Sequence, residues 1–427
     1  MEPELNVPFF RPDVGQEEID ETVDTLRSGW LTSGPKVSQF ERQFATAVGA
    51  KYAVAVNSCT AALHLAVEAL GLSPGQGVLV PTMTFAATAE VVRYMGAIPV
   101  LVDCDPTTGN MDLADAEAKL EQIRRGDLPS SIPKDLKVVG IIPVHVGGMM
   151  LNVDSIHGLA NTHRLWIVED AAHALPAAWR PNSSAPWQRC GEGTGRVACF
   201  SFYANKTITT GEGGMAVTDE AHLAERMRLM SLHGLSHDAW GRYSGQGKWD
   251  YQIVAPGFKY NLTDIAASIG IHQLARAEDM RRKREAVARE YIERLADIEE
   301  ISLPPDNGDR IHSWHLFPIR LRLDRLTIDR DAFIEALKTS RVGCSVHWRP
   351  LHLHPYYQES FGWAPEHLPV ATSIWTTLIS LPIFSGMTAD EIDHVVNTVH
   401  ELCSRHARKA VADGSKTPTS DHMLSVS

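Results

Sequence analysis

The segment Ser201-Phe-Tyr-Ala-Asn-Lys206-Thr-Ile-Thr-Thr-Gly-Glu-Gly-Gly214 sets a lysine between a strand-like run, Val197–Ser201, and a glycine-dense turn that leads to a second strand, Met215–Thr218. A lysine at a strand end among apolar and hydroxyl residues can be desolvated, and desolvation lowers an amine pKa towards nucleophilic use. Taken alone, it reads as a surface-loop lysine. The run Leu165-Trp-Ile-Val-Glu-Asp170-Ala-Ala-His173 is an apolar strand ending in a carboxylate, with a histidine three residues on. Asp170 suits a protonated ring nitrogen, and alone it also fits a turn or cap; His173 alone fits a core histidine. A third run, Val54-Ala-Val-Asn57-Ser58-Cys59-Thr60-Ala-Ala-Leu, joins a strand to a helix through small polar residues. Such a turn offers amides and hydroxyls to an anion, or simply caps the helix. A Schiff-base lysine, a carboxylate for a pyridine nitrogen and an anion site for a phosphate are what pyridoxal phosphate (PLP) requires. All three stand at strand–turn positions.

Elements to carry them are readable from the pattern. Tyr52–Val56, Gly77–Val80, Ile98–Val102, Val138–Pro143 and Leu165–Glu169 read as strands. Ala61–Leu70, Ala86–Tyr94 and Val153–His163 have helical spacing. The alternation predicts an α/β fold with a mostly parallel sheet covered by helices on both faces, and ligands outside the carboxyl ends of its strands. From Thr263 the texture changes. One helical stretch is expected from Thr263 to about Leu295, its charged block Arg281–Glu285 forming a solvated face. Strands at Trp314–Leu323 and Cys344–Trp348 follow, with a helix at Arg330–Ser340 between them. The expected organisation is a large α/β domain over 13–262, a smaller one over 263–408 and a polar, frayed tail over 409–427.

Composition limits the partners. Of 427 residues, 44% are hydrophobic and 22% charged, which excludes a disordered or collagen-like chain. A net charge of −12 argues against nucleic acid or an anionic membrane as partner, while leaving room for a phosphorylated small molecule. The six cysteines contain no CxxC pair, so neither a zinc site nor a disulfide framework is expected, and a reducing compartment suits them. The opening MEPELNVPFFRPD lacks the basic start and apolar run of a signal peptide, and the longest apolar stretch, Val138–Met150, is too short to span a bilayer. A cytoplasmic protein is expected. Gly191–Gly195 precedes a strand and is no dinucleotide fingerprint. The histidines of Leu351–Pro355 have no Cys or carboxylate beside them to complete a metal set, and no metal is expected.

Eight ordered stretches resemble the DegT/DnrJ/EryC1/StrS sugar aminotransferases, a PLP-dependent family of fold type I. They are SGWLTSGPKV (28–37), VNSCTAALHLA (56–66), PTMTFAAT (81–88), IIPVHVGG (141–148), VEDAAHA (168–174), SFYANKTITTGEGGMAVT (201–218), PGFKYNLTDI (256–265) and VHWRPLH (346–352). The resemblance runs from about Val7 to Leu402. It implies that Lys206 carries the cofactor and that Ser201, Cys59 and Thr60 hold its phosphate, Cys59 through its backbone only. It further implies that Phe85 stacks on the ring, that Asp170 and His173 face the ring nitrogen and 3-hydroxyl, and that Asn261 reaches the phosphate of a neighbouring subunit in a homodimer. Gly29, Trp30, Leu31, Thr32, His347, Trp348, Arg349 and Pro350 match segments that contact the sugar nucleotide, although the two tryptophans also fit packing at a domain junction.

The activity implied is ping-pong transamination, from an amino acid such as glutamate (leaving as 2-oxoglutarate) to a nucleotide-linked keto sugar. The segments at 28–37 and 256–265 lean towards 4-keto-6-deoxy sugars. Related dehydratases carry histidine where this chain keeps Lys206. A non-catalytic regulatory protein would not need Lys206, Asp170 and Ser201 together, and a nicotinamide enzyme would need a glycine fingerprint early in the chain.

Overall fold

Short β-branched runs buried on both faces, such as Ile98-Pro-Val-Leu-Val102, form a central seven-stranded sheet in the computed structural model, which describes residues 5–235, 252–306 and 308–408. Its strands are β1 Tyr52–Val56, β2 Gly77–Pro81, β3 Ile98–Val102, β4 Val138–Ile141, β5 Trp166–Asp170, β6 Val197–Ser201 and β7 Gly214–Thr218. They lie in the order β1-β7-β6-β5-β4-β2-β3, with only β7 antiparallel to its neighbours. Continuous apolar strands of this kind need cover on both faces. One face packs Leu63, Val67, Val91, Ile123 and Ile156; the other packs Phe40, Phe44, Phe202, Ala267 and Ile271. The register sets Gly214 opposite both Val56 and Ser201, so the ends of β1 and β6 flank one glycine.

A second core gathers Val287, Tyr291, Phe317, Ile319, Phe333, Ile379 and Val395. Its sheet is antiparallel, from Ile301–Ser302, Phe317–Leu321 and Leu378–Leu381. Val7 joins this core from the other end of the chain, exchanging backbone hydrogen bonds with Arg341 and Gly343 at 3.0 and 2.8 Å.

Several expectations change. The helix expected over Thr263–Leu295 is two, Asp264–Ala275 and Ala277–Arg294, broken at Arg276, whose guanidinium turns to Asp13 and Glu18. The Arg281–Glu285 block is not wholly solvated: Arg281 and Arg284 are buried. Arg284 donates to the carbonyls of Trp314 and Ile383 at 3.3 and 2.8 Å, acceptors no local pattern reveals. Trp314 adopts φ 51°, in the left-handed region, so the strand begins only at Phe317. Cys344–Trp348 forms no strand beyond a single bridge from Ser345 to Ser380. The tail expected at 409–427 lies outside the described residues.

Candidate active site

Ser58 caps the helix Cys59–Ala69, its Oγ accepting the Ala61 N–H at 3.1 Å. The amides of Cys59 and Thr60 fall in the first turn, where a helix provides no acceptor of its own and its dipole favours an anion. Gly214 lets this turn settle on β7: a Cβ there would stand 2.4 Å from the Ser58 carbonyl carbon and 2.6 Å from the Cys59 nitrogen. Ser201 ends β6 on the other side of the same glycine. Ser58, Cys59, Thr60 and Ser201 line one cavity of about 560 Å³.

Lys206 opens into that cavity from a loop folded back on itself. The Phe202 N–H donates to Gly213 at 2.9 Å, Thr210 to Phe202 at 3.0 Å and Lys206 to Tyr203 at 3.0 Å. Burial pushes the Lys206 amine down to about 8, against the opposing pull of Asp170. Asp170, at the end of β5, accepts from Thr88 Oγ1 at 2.7 Å and from the Ala172 N–H at 3.1 Å. Burial raises its pKa, and these bonds and Lys206 act in the other direction. An Asp in that state gains most from a cation placed beside it.

Phe85 also lines the cavity and is 63% exposed, which removes plain core packing as its role and leaves a bare aromatic face. His173 is buried, accepts the Gly147 N–H on Nδ1 at 3.3 Å and stacks on Trp348 with ring centres 5.1 Å apart. His347 and Trp348 line the cavity, and His347 Nδ1 pairs with Ser380 Oγ at 3.0 Å. Arg349 turns instead to the Leu353 carbonyl, at 2.6 and 3.1 Å, and Pro350 is buried.

The remaining expected residues stand elsewhere in the same chain. Asn261 bridges to Val56, donates to Ser33 Oγ at 2.8 Å and accepts from Lys259 Nζ. It lines a separate cavity of about 410 Å³ with Trp30, Ser33 and Arg228. Gly29, at φ 75°, closes the helix Gln16–Ser28; Leu31 is exposed, and the Thr32 carbonyl accepts the Asp264 N–H at 3.1 Å.

Two residues, one behind the cavity and one on its lining, escaped sequence reasoning. Thr88, buried and bonded to Asp170, stands three residues after Phe85 in PTMTFAAT, inside a stretch already singled out, so a signal was present. His315, whose Nε2 is 3.4 Å from Lys206 Nζ, gave none, since 109 residues separate the two. Among the described residues one buried triad, His145, Glu169 and Cys190, has metal-ligand chemistry. There His145 Nδ1 accepts the Leu151 N–H at 3.2 Å, which puts the ring proton on Nε2, facing Glu169 Oε2 at 2.8 Å. That is a hydrogen-bonded pair, since a metal-bound histidine normally donates from its other nitrogen.

The cavity fits PLP. It joins an anion turn, an amine of lowered pKa, a buried carboxylate and an open aromatic face, and Asn205 Oδ1 and His315 Nδ1 on its lining are buried without a protein partner.

The sequence model of the DegT/DnrJ/EryC1/StrS aminotransferase family matches residues 12–400. The chain is 43% identical to MJ1066 of Methanocaldococcus jannaschii over 400 residues, covering 94% of this chain and 98% of that one. It is 40% identical to the spore coat polysaccharide biosynthesis protein SpsC of Bacillus subtilis over 397 residues, covering 93% and 97%. Spr1654 from Streptococcus pneumoniae, solved in PMP and PLP forms, superposes with a TM-score of 0.82 at 30% identity, with 94% of this chain covered and 98–99% of that one.

Proposed function

This chain belongs to the PLP-dependent DegT/DnrJ/EryC1/StrS aminotransferase family, and from that premise we propose that it moves an amino group from glutamate to a nucleotide-linked keto sugar, a 4-keto-6-deoxyhexose. The product would be a nucleotide amino sugar for polysaccharide, lipid modification or a secondary metabolite; the similarity to SpsC favours polysaccharide. The observation that carries the reading is Lys206: an amine held at about 8 by burial, in one cavity with Asp170 and the Ser58–Thr60 turn.

When bound, PLP supplies a carbonyl that takes up the amino group and a protonated ring that stores the electron pair left at the substrate carbon. Asp170 would keep that ring nitrogen protonated, and the hydrogen bonds from Thr88 and Ala172 aim its carboxylate. The first-turn amides of Cys59 and Thr60, with Ser201, would fix the phosphate end. Phe85 would lie against the ring's face. Lys206 Nζ would take the proton from the donor's Cα and, in the second half-reaction, deliver one to the sugar carbon that receives nitrogen. An amine near 8 is suited to both tasks at neutral pH. His347 and Trp348 would meet the sugar.

The position of Asn261, away from its own chain's cavity, supports a homodimer in which it completes the partner's phosphate site, with residues 29–32 reaching the partner's substrate. Among the described residues no helix is long and apolar enough to cross a membrane, and all six cysteines are unpaired, which agrees with a cytoplasmic enzyme.

The test is a panel of nucleotide keto sugars with [15N]glutamate and the PLP-loaded protein, read by mass spectrometry. The reading predicts 15N in a nucleotide amino sugar together with 2-oxoglutarate. Release of 2-oxoglutarate with no labelled sugar across uridine-, thymidine- and guanosine-linked ketones would contradict the acceptor class.

A further inference from the structure

The segment His312-Ser-Trp-His315 is buried residue by residue and pinned from several sides. The His315 and Ser313 N–H groups donate to Gly147 and Gly148 at 3.0 and 3.2 Å, and Ser313 Oγ donates to the His173 carbonyl at 2.5 Å. Trp314 is held at φ 51° by its N–H on His312 Nδ1 at 2.8 Å and by its ring stacked on His312, centres 4.0 Å apart. A tryptophan in the left-handed region is uncommon and needs such support. Gly148, at φ 102°, leaves room for the turn: a Cβ there would stand 1.8 Å from Ser313 Oγ. All of this delivers one imidazole to the catalytic amine.

That imidazole differs from two other buried histidines, His352 and His145. His352 bonds through both ring nitrogens, to Thr82 and Thr372 at 2.8 Å each, and His145 through both, to Leu151 and Glu169. Those are satisfied core histidines. His315 has an unpartnered Nδ1, and its Nε2 meets Lys206 Nζ at 3.4 Å. A ring placed for packing alone would more cheaply be apolar, because a buried polar atom without a partner is costly.

Resting on the aminotransferase reading, we propose that His315 is a positioning residue for the catalytic lysine: its neutral imidazole accepts a hydrogen bond from the Lys206 ammonium and holds the amine on the line of proton transfer. No net proton leaves Lys206 for His315, so the lysine stays the base and acid while the histidine fixes its direction. The groups around the ring support neutrality. Lys206, His173, Arg284 and His347 all bear on it as cations or potential cations, Asp170 acts on the lysine itself, and burial is the main cause holding His315 well below the usual histidine range. His173 lies closest among the rings, at 4.1 Å between centres.

The test uses His315→Gln, whose amide can reach the Nε2 position, and His315→Phe, which fills the space with no acceptor. The first readout needs neither cofactor nor substrate: the pH dependence of Lys206 acetylation in the cofactor-free protein, followed by peptide mass spectrometry. The wild type should titrate near its value of about 8, the Gln variant close to it and the Phe variant lower, because an acceptor for the ammonium is lost. The second readout is turnover, expected to fall about 10²-fold in the Phe variant through kcat and to be largely retained in the Gln variant. An unchanged Lys206 titration in the Phe variant, or equal losses in both variants, would overturn the proposal and reduce His315 to packing. A wild type inactive on every keto sugar would contradict the reaction instead, leaving the acetylation result to decide this contact.

Discussion

Asp170 accepts hydrogen bonds from Thr88 and Ala172 while burial raises its pKa, so its charge depends on having a cation beside it. Asp170→Asn should keep the fold and lower turnover by about 10²–10³-fold, far more than it weakens PLP binding, because one preorganised electrostatic contact is lost. Steady-state rates beside an absorbance titration with PLP check this; turnover within a few-fold of wild type would contradict the electron-storage role. Lys206 gives a pH signature. Its folded pKa is depressed to about 8 from the ordinary 10.5, so between those values the unfolded chain binds more protons and stability rises with pH. The cofactor-free wild type should therefore gain Tm relative to Lys206→Met from pH 8 towards 10.5. A constant difference across that window would show that the amine is not desolvated.

Among the elements, the turn between β1 and its helix depends on the bare backbone of Gly214. Gly214→Ala would drive a Cβ into Ser58 and Cys59, and overpacking of this kind costs about 1–3 kcal/mol, equivalent to a roughly 10–100-fold weaker PLP affinity if the cost falls on the turn. Gly158→Ala is the control: it lies exposed within the helix Val153–His163 with nothing within 4 Å, and should stabilise by about 0.5–1 kcal/mol with PLP affinity unchanged. Equal PLP affinity in both variants would remove the role given to the turn. These elements were legible because their signals are local. The helix Val153–His163 lies where its spacing puts it, and the apolar strands end within a few residues of their expected limits. The break at Arg276 was hidden because helix formers stand on both sides and the cause, Asp13 and Glu18, lies some 260 residues earlier. Arg284 was hidden for a related reason: a run of charges resembles a solvated face until remote carbonyls are seen to hold one of its members.

At the scale of the whole molecule, Phe85, Asp170, Lys206, His315 and Trp348 come from five separate segments to one cavity. The three chemical pieces were each readable, since each ends or follows its own strand, whereas the contact of His315 with Lys206 joins residues 109 positions apart. Asn261 lies away from its own chain's main cavity, beside Ser33. If the proposed shared-site homodimer holds, mixing Lys206→Ala with Asn261→Asp under subunit exchange should restore activity, because one site of the mixed dimer would keep both wild-type residues; confirmed exchange without activity would refute shared sites. One amine, that of Lys206, is central to the proposed chemistry, and the most direct measurement is borohydride reduction of the PLP-loaded protein followed by peptide mapping. The expected result is a pyridoxyl group fixed to Lys206, absent from Lys206→Ala. An adduct on any other lysine, or none on Lys206 in protein shown to hold PLP, would contradict it.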